Sequence, residues 1–274
     1  MILVINSMLS AALIVLLMWL DRYEKENIVT MMKVFVLSII ATSFYAFAAS
    51  MIITDLSLKN IVIIAPIMEE SWKFLIFLLV IYKWKDEVNE SFDPVMYIGV
   101  IALGFAFYEN VIYYIAATWH GVLFARLTYD YSLYNASLYS IFLARLIPGH
   151  LLFNIVAISI YGAGFKYGKK KIRLLFSWLL AILFHAAWNL TASSNLIFSG
   201  VVLFLIIAAI FSIKTLLNIS EFKSEPEYGD EFLIPDKSQY DWSYYFLIYI
   251  FVIICGTLAI LASYAFESII ISLF

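Results

Sequence analysis

Eight stretches of this chain are apolar for long enough to cross a bilayer as helices, and nothing else narrows its possible folds as much. At 1.5 Å per residue against ~30 Å of hydrocarbon, they fall at about 2–20, 30–53, 61–82, 94–117, 138–162, 173–192, 197–214 and 243–264. Composition points the same way. With 64% hydrophobic and 14% charged residues, the chain departs from soluble domains, which average roughly 45–50% apolar and 25% charged. The expected fold is an all-α integral membrane protein, a bundle of about eight transmembrane helices with a polar cavity in the outer half of the bilayer.

Organisation follows from these runs. Residues 1–60 supply two N-terminal helices, with the first apolar run read as a retained span because no basic segment or small-residue cleavage site accompanies it. Residues 61–192 form a four-helix core, and 193–274 add two helices joined by an acidic loop at about 215–242. The basic residues orient the whole. With the N-terminus outside, thirteen lysines and arginines fall on the cytoplasmic side and only Lys59 and Arg126 on the other, so both termini are expected to be extracytoplasmic. The net charge of −3 says little about partners, but no basic stripe suited to nucleic acid is present and no nucleic-acid partner is expected; the single Cys255 excludes an internal disulfide or a cysteine-based zinc site. No internal repeat supports a duplicated transporter.

Four of the runs contain residues that lipid rejects. The third has Glu69, Glu70 and Lys73; the fourth Glu109 and Asn110; the fifth Arg145, Pro148, His150 and Asn154; the sixth His185 and Asn189. One ionisable group at bilayer depth costs at least ~2.5–3.5 kcal/mol on insertion scales, so such a set implies partners or a task. Measured from the outer ends, the ionisable residues lie roughly 10–18 Å deep, in one layer. A shared polar cavity accounts for that coincidence. Helical spacing lets Lys73 pair with Glu69 or Glu70, whose side chains diverge by ~100°, and places Asn154 and Asn189 on the faces of His150 and His185. There an amide can orient the ring or bond a substrate oxygen. His120 falls in an expected outer loop, and Trp84, Trp119, Trp178 and Trp242 read as interfacial anchors.

The ordered set Glu69-Glu70-x-x-Lys73-Phe74, Gly104-Phe105-x-x-x-Glu109-Asn110, Arg145 with Gly149-His150, and His185-x-x-Trp188-Asn189 resembles the PrsW family of intramembrane proteases. That family is related to the wider CAAX-protease and bacteriocin-processing superfamily, and the likeness covers about residues 61–192. It implies a multi-pass endopeptidase, classed as a metalloprotease, that cuts membrane-anchored proteins such as anti-sigma factors in regulated proteolysis. It carries Glu69, Glu70, Glu109, His185 and His150 over as site residues; the reading of the residues adds Asn189 to the catalytic set, with Lys73, Asn110, Arg145 and Asn154 in support.

Peptide hydrolysis needs an activated water, a stabilised oxyanion and a proton for the leaving amine. Two versions stay open. In one, zinc, implied by the family, is held by His150, His185 and Glu109, with Glu69 or Glu70 as base. In the other, one of these glutamates activates water without a metal and a His–Asn pair polarises the carbonyl. Glu69 is the expected base, with Glu70 as a second cavity ligand or supporting group. Two rivals from other classes are a proton- or ion-coupled transporter and a non-catalytic membrane scaffold. For single residues, a structural role competes: Glu70 and Lys73 as an ion pair within one helix, each histidine as a packing donor.

Overall fold

The computed structural model of the 274-residue chain describes residues 2–21, 26–52, 57, 59–128, 148–164, 170–191 and 195–224. Arg145, the expected span at 243–264 and the acidic loop beyond 224 lie outside them. Among the described residues all regular structure is helical: α1 (Ile2–Leu20), α2 (Ile28–Ile52), a π-helical turn (Asn60–Ile64) running into α3 (Ala65–Lys83), α4 (Asp93–Thr128), α5 (Gly149–Ala163), α6 (Lys170–Thr191) and α7 (Asn195–Ser224).

Four stretches are long and apolar enough to cross a membrane, namely Ile28–Met51, Asp93–Ala116, Lys171–Thr191 and Phe198–Ile219. Helix α3 has the length but carries Glu69, Glu70 and Lys73 within it, whereas α5 is apolar but shorter. The outward faces confirm the solvent for which the chain is built. On α6, Ile172, Leu175, Phe176, Leu179 and Leu183 form an exposed apolar stripe at helical spacing, while Ser177, Ala181 and His185 face inward. A helix of a water-soluble protein has the reverse pattern.

Several expected boundaries move, each for a local reason. Asn27 Oδ1 accepts the N–H of Val29 at 2.8 Å and so caps α2. Asp93 Oδ2 accepts the N–H groups of Asn89 and Glu90, and Pro94, which has no N–H to lose, follows at the first helical turn of α4. That helix continues past its expected end at 117 to Thr128, so His120 stands in a helix and not in a loop. Of the helix expected at 138–162, residues 138–147 lie outside the described residues, and α5 begins at Gly149, after Pro148, with His150 in its first turn. Helix α7 runs to Ser224, into the segment expected to open the acidic loop.

The chain divides into two compact units. One comprises Met1–Val15, Ala106–Pro148 and Asp241–Phe274, the other Leu16–Phe105 and Gly149–Tyr240. In the second unit α5 packs against α6 and α7, and α3 against α2 and α6. Close approach of α2 and α4 depends on Gly104, where a Cβ would stand 2.8 Å from Ser38 Cβ and 2.9 Å from the Phe35 carbonyl oxygen. Ser38 Oγ donates to the Ile101 carbonyl at 2.7 Å beside it. Trp72 then closes the junction of α2 and α3, its indole N–H donating to the Ala41 carbonyl at 3.0 Å and its ring lying 6.1 Å from that of Tyr45.

Candidate active site

Helix α3 buries a single stripe, Pro66, Glu70, Lys73, Phe74, Phe77 and Val80, at the three- and four-residue spacing of one helical face. The stripe includes two of the charges that lipid rejects, so the helix hides them among its neighbours. Glu69, one position away, falls at the edge of this face with 13% of its side chain exposed, against none for Glu70. The two adjacent glutamates are thereby given different surroundings.

Glu70 is held from both oxygens. Oε1 accepts from Lys73 Nζ at 2.5 Å and from His185 Nδ1 at 2.7 Å, and Oε2 accepts from Asn154 Nδ2 at 3.0 Å. Three helices, α3, α5 and α6, meet on one carboxylate. Lys73 selects Glu70 from the two carboxylates within its reach and also contacts His150 Nδ1 at 2.9 Å. Its ammonium faces the rings of Phe105 and Phe153, 4.7 and 5.2 Å from their centroids. A charge removed from water needs this kind of enclosure.

The imidazoles are fixed by rings as well as by charges. His185 stacks on Phe153 with centroids 4.8 Å apart and planes 18° from parallel. His150 stands perpendicular to His185 at 5.0 Å. Glu69 Oε2 lies 3.8 Å from His185 Nε2, the ring atom opposite the one bound by Glu70. Glu69, His150 and His185 together offer three ligating atoms within 4.8 Å of one another. Two imidazoles and a carboxylate are the donor set of many catalytic zinc sites, so in kind and number these residues fit a metal ion.

Six of the sequence candidates therefore meet: Glu69, Glu70, Lys73, His150, Asn154 and His185. Glu109 and Asn110 are half-buried on α4 in the first unit, and the three grouped ligand donors take Glu69 as their carboxylate. Asn154 bonds Glu70 and the backbone carbonyl of His150 at 2.8 Å, so it steadies the carboxylate and the helix turn instead of the imidazole.

Asn189 has a different place from the one expected on the His185 face. Its Nδ2 donates to the Ile61 carbonyl at 2.9 Å. In the π-helical turn the N–H five residues beyond Ile61 would be that of Pro66, which has none, and Asn189 provides the missing donor. The amide thus secures the start of the helix that carries the glutamates.

Other parts went unread in the sequence. Phe105 stands in the motif without a role, and Phe153 has as its signal only that it lies three residues after His150 on the same face. Gly149 and Trp188 appeared in the motif without a role. A Cβ on Gly149 would lie 2.9 Å from the Trp188 ring, so the glycine is the seat of that indole. Trp178, expected as an interfacial anchor, donates from its indole N–H to Ser71 Oγ at 3.2 Å and ties α6 to α3.

What the fold and the site define is a helical membrane protein with carboxylate, ammonium and imidazole groups drawn from three helices into one buried cluster. More narrowly, the chain belongs to the PrsW family of intramembrane metalloproteases, whose pattern matches residues 26–213 and so takes in the whole cluster. It is 28% identical over 161 residues to Protease PrsW of Oceanobacillus iheyensis, an alignment covering 54% of this chain and 63% of that relative. The matched part thus spans less than two thirds of the relative's length. No solved structure matches the chain.

Proposed function

We propose that this protein is an intramembrane endopeptidase that hydrolyses peptide bonds of membrane-anchored proteins, with Glu69 as the group that activates water. The observation that carries this reading is the grouping of Glu69, His150 and His185 within 4.8 Å inside a chain of the PrsW family. The contacts of Glu70 with Lys73, His185 and Asn154 and its complete burial favour a positioning role for it, whereas Glu69 has 13% of its side chain exposed and faces a ring nitrogen, which supports it as the base.

Glu69, His150 and His185 are the residues that would hold a zinc ion, which when bound supplies a Lewis acid and a more acidic water. The chain's own groups supply the rest. In the metal-free version Glu69 takes the proton of the attacking water and returns it to the leaving amine; Glu70 and Lys73 hold the rings in place, and Asn154 holds Glu70. The substrate is a single-span or otherwise membrane-anchored protein whose helix unwinds locally, since its peptide carbonyls are otherwise held in helical hydrogen bonds. The lysine-rich loops are cytoplasmic in this reading and the site opens toward the outer half of the membrane.

The test is cleavage of a single-span substrate by purified full-length protein in bilayers, with Glu69→Gln alongside. Cleavage by wild type and at least a ~100-fold loss in the variant is the expected result, given the usual share of general base catalysis. Undiminished cleavage by Glu69→Gln would remove Glu69 from this role, and ion flux without cleavage would restore the transporter. Chelation separates the zinc version from the metal-free one: persistence of cleavage in metal-free protein rejects zinc.

A further inference from the structure

The two histidines of the cluster meet opposite chemistry at the same ring atom. His185 Nδ1 lies 2.7 Å from Glu70 Oε1, and a carboxylate oxygen only accepts. His150 Nδ1 lies 2.9 Å from Lys73 Nζ, and an ammonium only donates. A ring nitrogen facing the first must carry a hydrogen; one facing the second must carry a lone pair. The frame that imposes this is closed, because Lys73 also binds the same Glu70 oxygen at 2.5 Å and Asn154 holds the other oxygen at 3.0 Å. Lys73 and Glu70 are both fully buried, so water is not available to relax either contact.

We propose that the Glu70–Lys73 pair sets the two histidines in different hydrogen-bonding states: His150 has its hydrogen on Nε2 and acts as a donor, whereas His185 has its hydrogen on Nδ1 and keeps Nε2 for accepting a proton or a cation beside Glu69. Resting on the peptidase reading, this divides the labour of the cluster. Glu69 and His185 serve the water. The N–H of His150 serves the substrate's carbonyl oxygen as negative charge gathers on it. Glu70 and Lys73 are positioning residues that act through the rings.

Nitrogen NMR of the full-length protein labelled at histidine reads these states directly, since protonated and unprotonated ring nitrogens resonate far apart. The chain has three histidines, so His120→Gln, His150→Gln and His185→Gln assign the signals. In metal-free wild type, His150 is expected with Nδ1 bare and Nε2 protonated, and His185 with Nδ1 protonated. A protonated Nδ1 on His150, or a bare one on His185, overturns the proposal. In Glu70→Gln, whose amide donates as well as accepts, the His185 signals should shift and those of His150 stay; the reverse pattern also overturns it. The wild-type spectrum decides by itself if that variant fails to fold. Because no cleavage is measured, loss of the ring assignment and loss of the peptidase reading are separate results.

Discussion

Two regions of the second unit bury carboxylates, and they stabilise them in opposite ways. Around Glu70 the negative charge is met by an ammonium, an amide and an imidazole N–H. Around Glu26, just before α2, the described groups that act on the carboxyl are a hydroxyl and other carboxylates. Tyr97 donates its hydroxyl to Glu26 Oε2 at 2.6 Å, the Glu26 N–H donates to Asp21 Oδ2 at 3.3 Å, and Asp93 and Glu87 lie close enough to repel. Burial first, then the neighbouring carboxylates Asp93, Asp21 and Glu87, push the Glu26 carboxyl up to about 9, against the hydrogen bond from Tyr97. One site keeps its charge by recruiting partners; the other gives up its charge by keeping a proton. A helical membrane protein thus has two ways of burying an acid.

Removing a partner should break the first arrangement most severely. Lys73→Met leaves the Glu70 charge buried without its cation, and a loss of ~3–5 kcal/mol in unfolding stability is expected in detergent. The double variant Glu70→Leu/Lys73→Met should recover much of that loss, because both charges leave together. If the double variant is as unstable as the single one, the pair is not what the surrounding fold is built to balance.

The second arrangement predicts a pH dependence of smaller size. A carboxyl that ionises near 4.5 in the unfolded chain and at about 9 in the folded one binds its proton more tightly when folded. Its contribution to stability is therefore fully present below pH 4.5 and is lost as pH rises toward 9, on the order of a few kcal/mol across the window. Thermal unfolding followed from pH 5 to 9 should show this decline, and Glu26→Gln, which cannot ionise, should flatten it. An unchanged slope in that variant would place the effect elsewhere.

Single hydrogen bonds sharpen the contrast at the low end. Tyr97→Phe removes one donor from Glu26 and should cost about 1 kcal/mol, as should Asn189→Ala, which uncovers the Ile61 carbonyl. Urea unfolding of the two variants measures both; a loss as large as that of Lys73→Met in either case would mean that the comparison with the ion pair is wrong.

Much of the site was legible in the sequence because the membrane makes ionisable residues conspicuous. Glu69, Glu70, Lys73, His150 and His185 stood out against apolar surroundings, and helical spacing limited Lys73 to two partners. The choice between those partners was not legible. It depends on which face of α3 is turned toward α5 and α6, and that is a property of packing. Glu26 and Asp21 show the converse: they stand in a short polar stretch between two apolar runs, and only the neighbours that cover them make them buried acids.

The sequence by itself determined that the chain is helical and membrane-embedded, because that depends on composition and periodicity along one chain; its ordered motifs carried the family likeness and most of the candidates from which the cluster is drawn. Tertiary structure alone decided that Glu70 is fully buried and Glu69 partly exposed, that Asn189 serves the carbonyl orphaned by Pro66, and that an ammonium and a carboxylate face the same atom of two histidines. Such differences are set by distances of a few ångströms between separate helices, and spacing along a helix has no record of them.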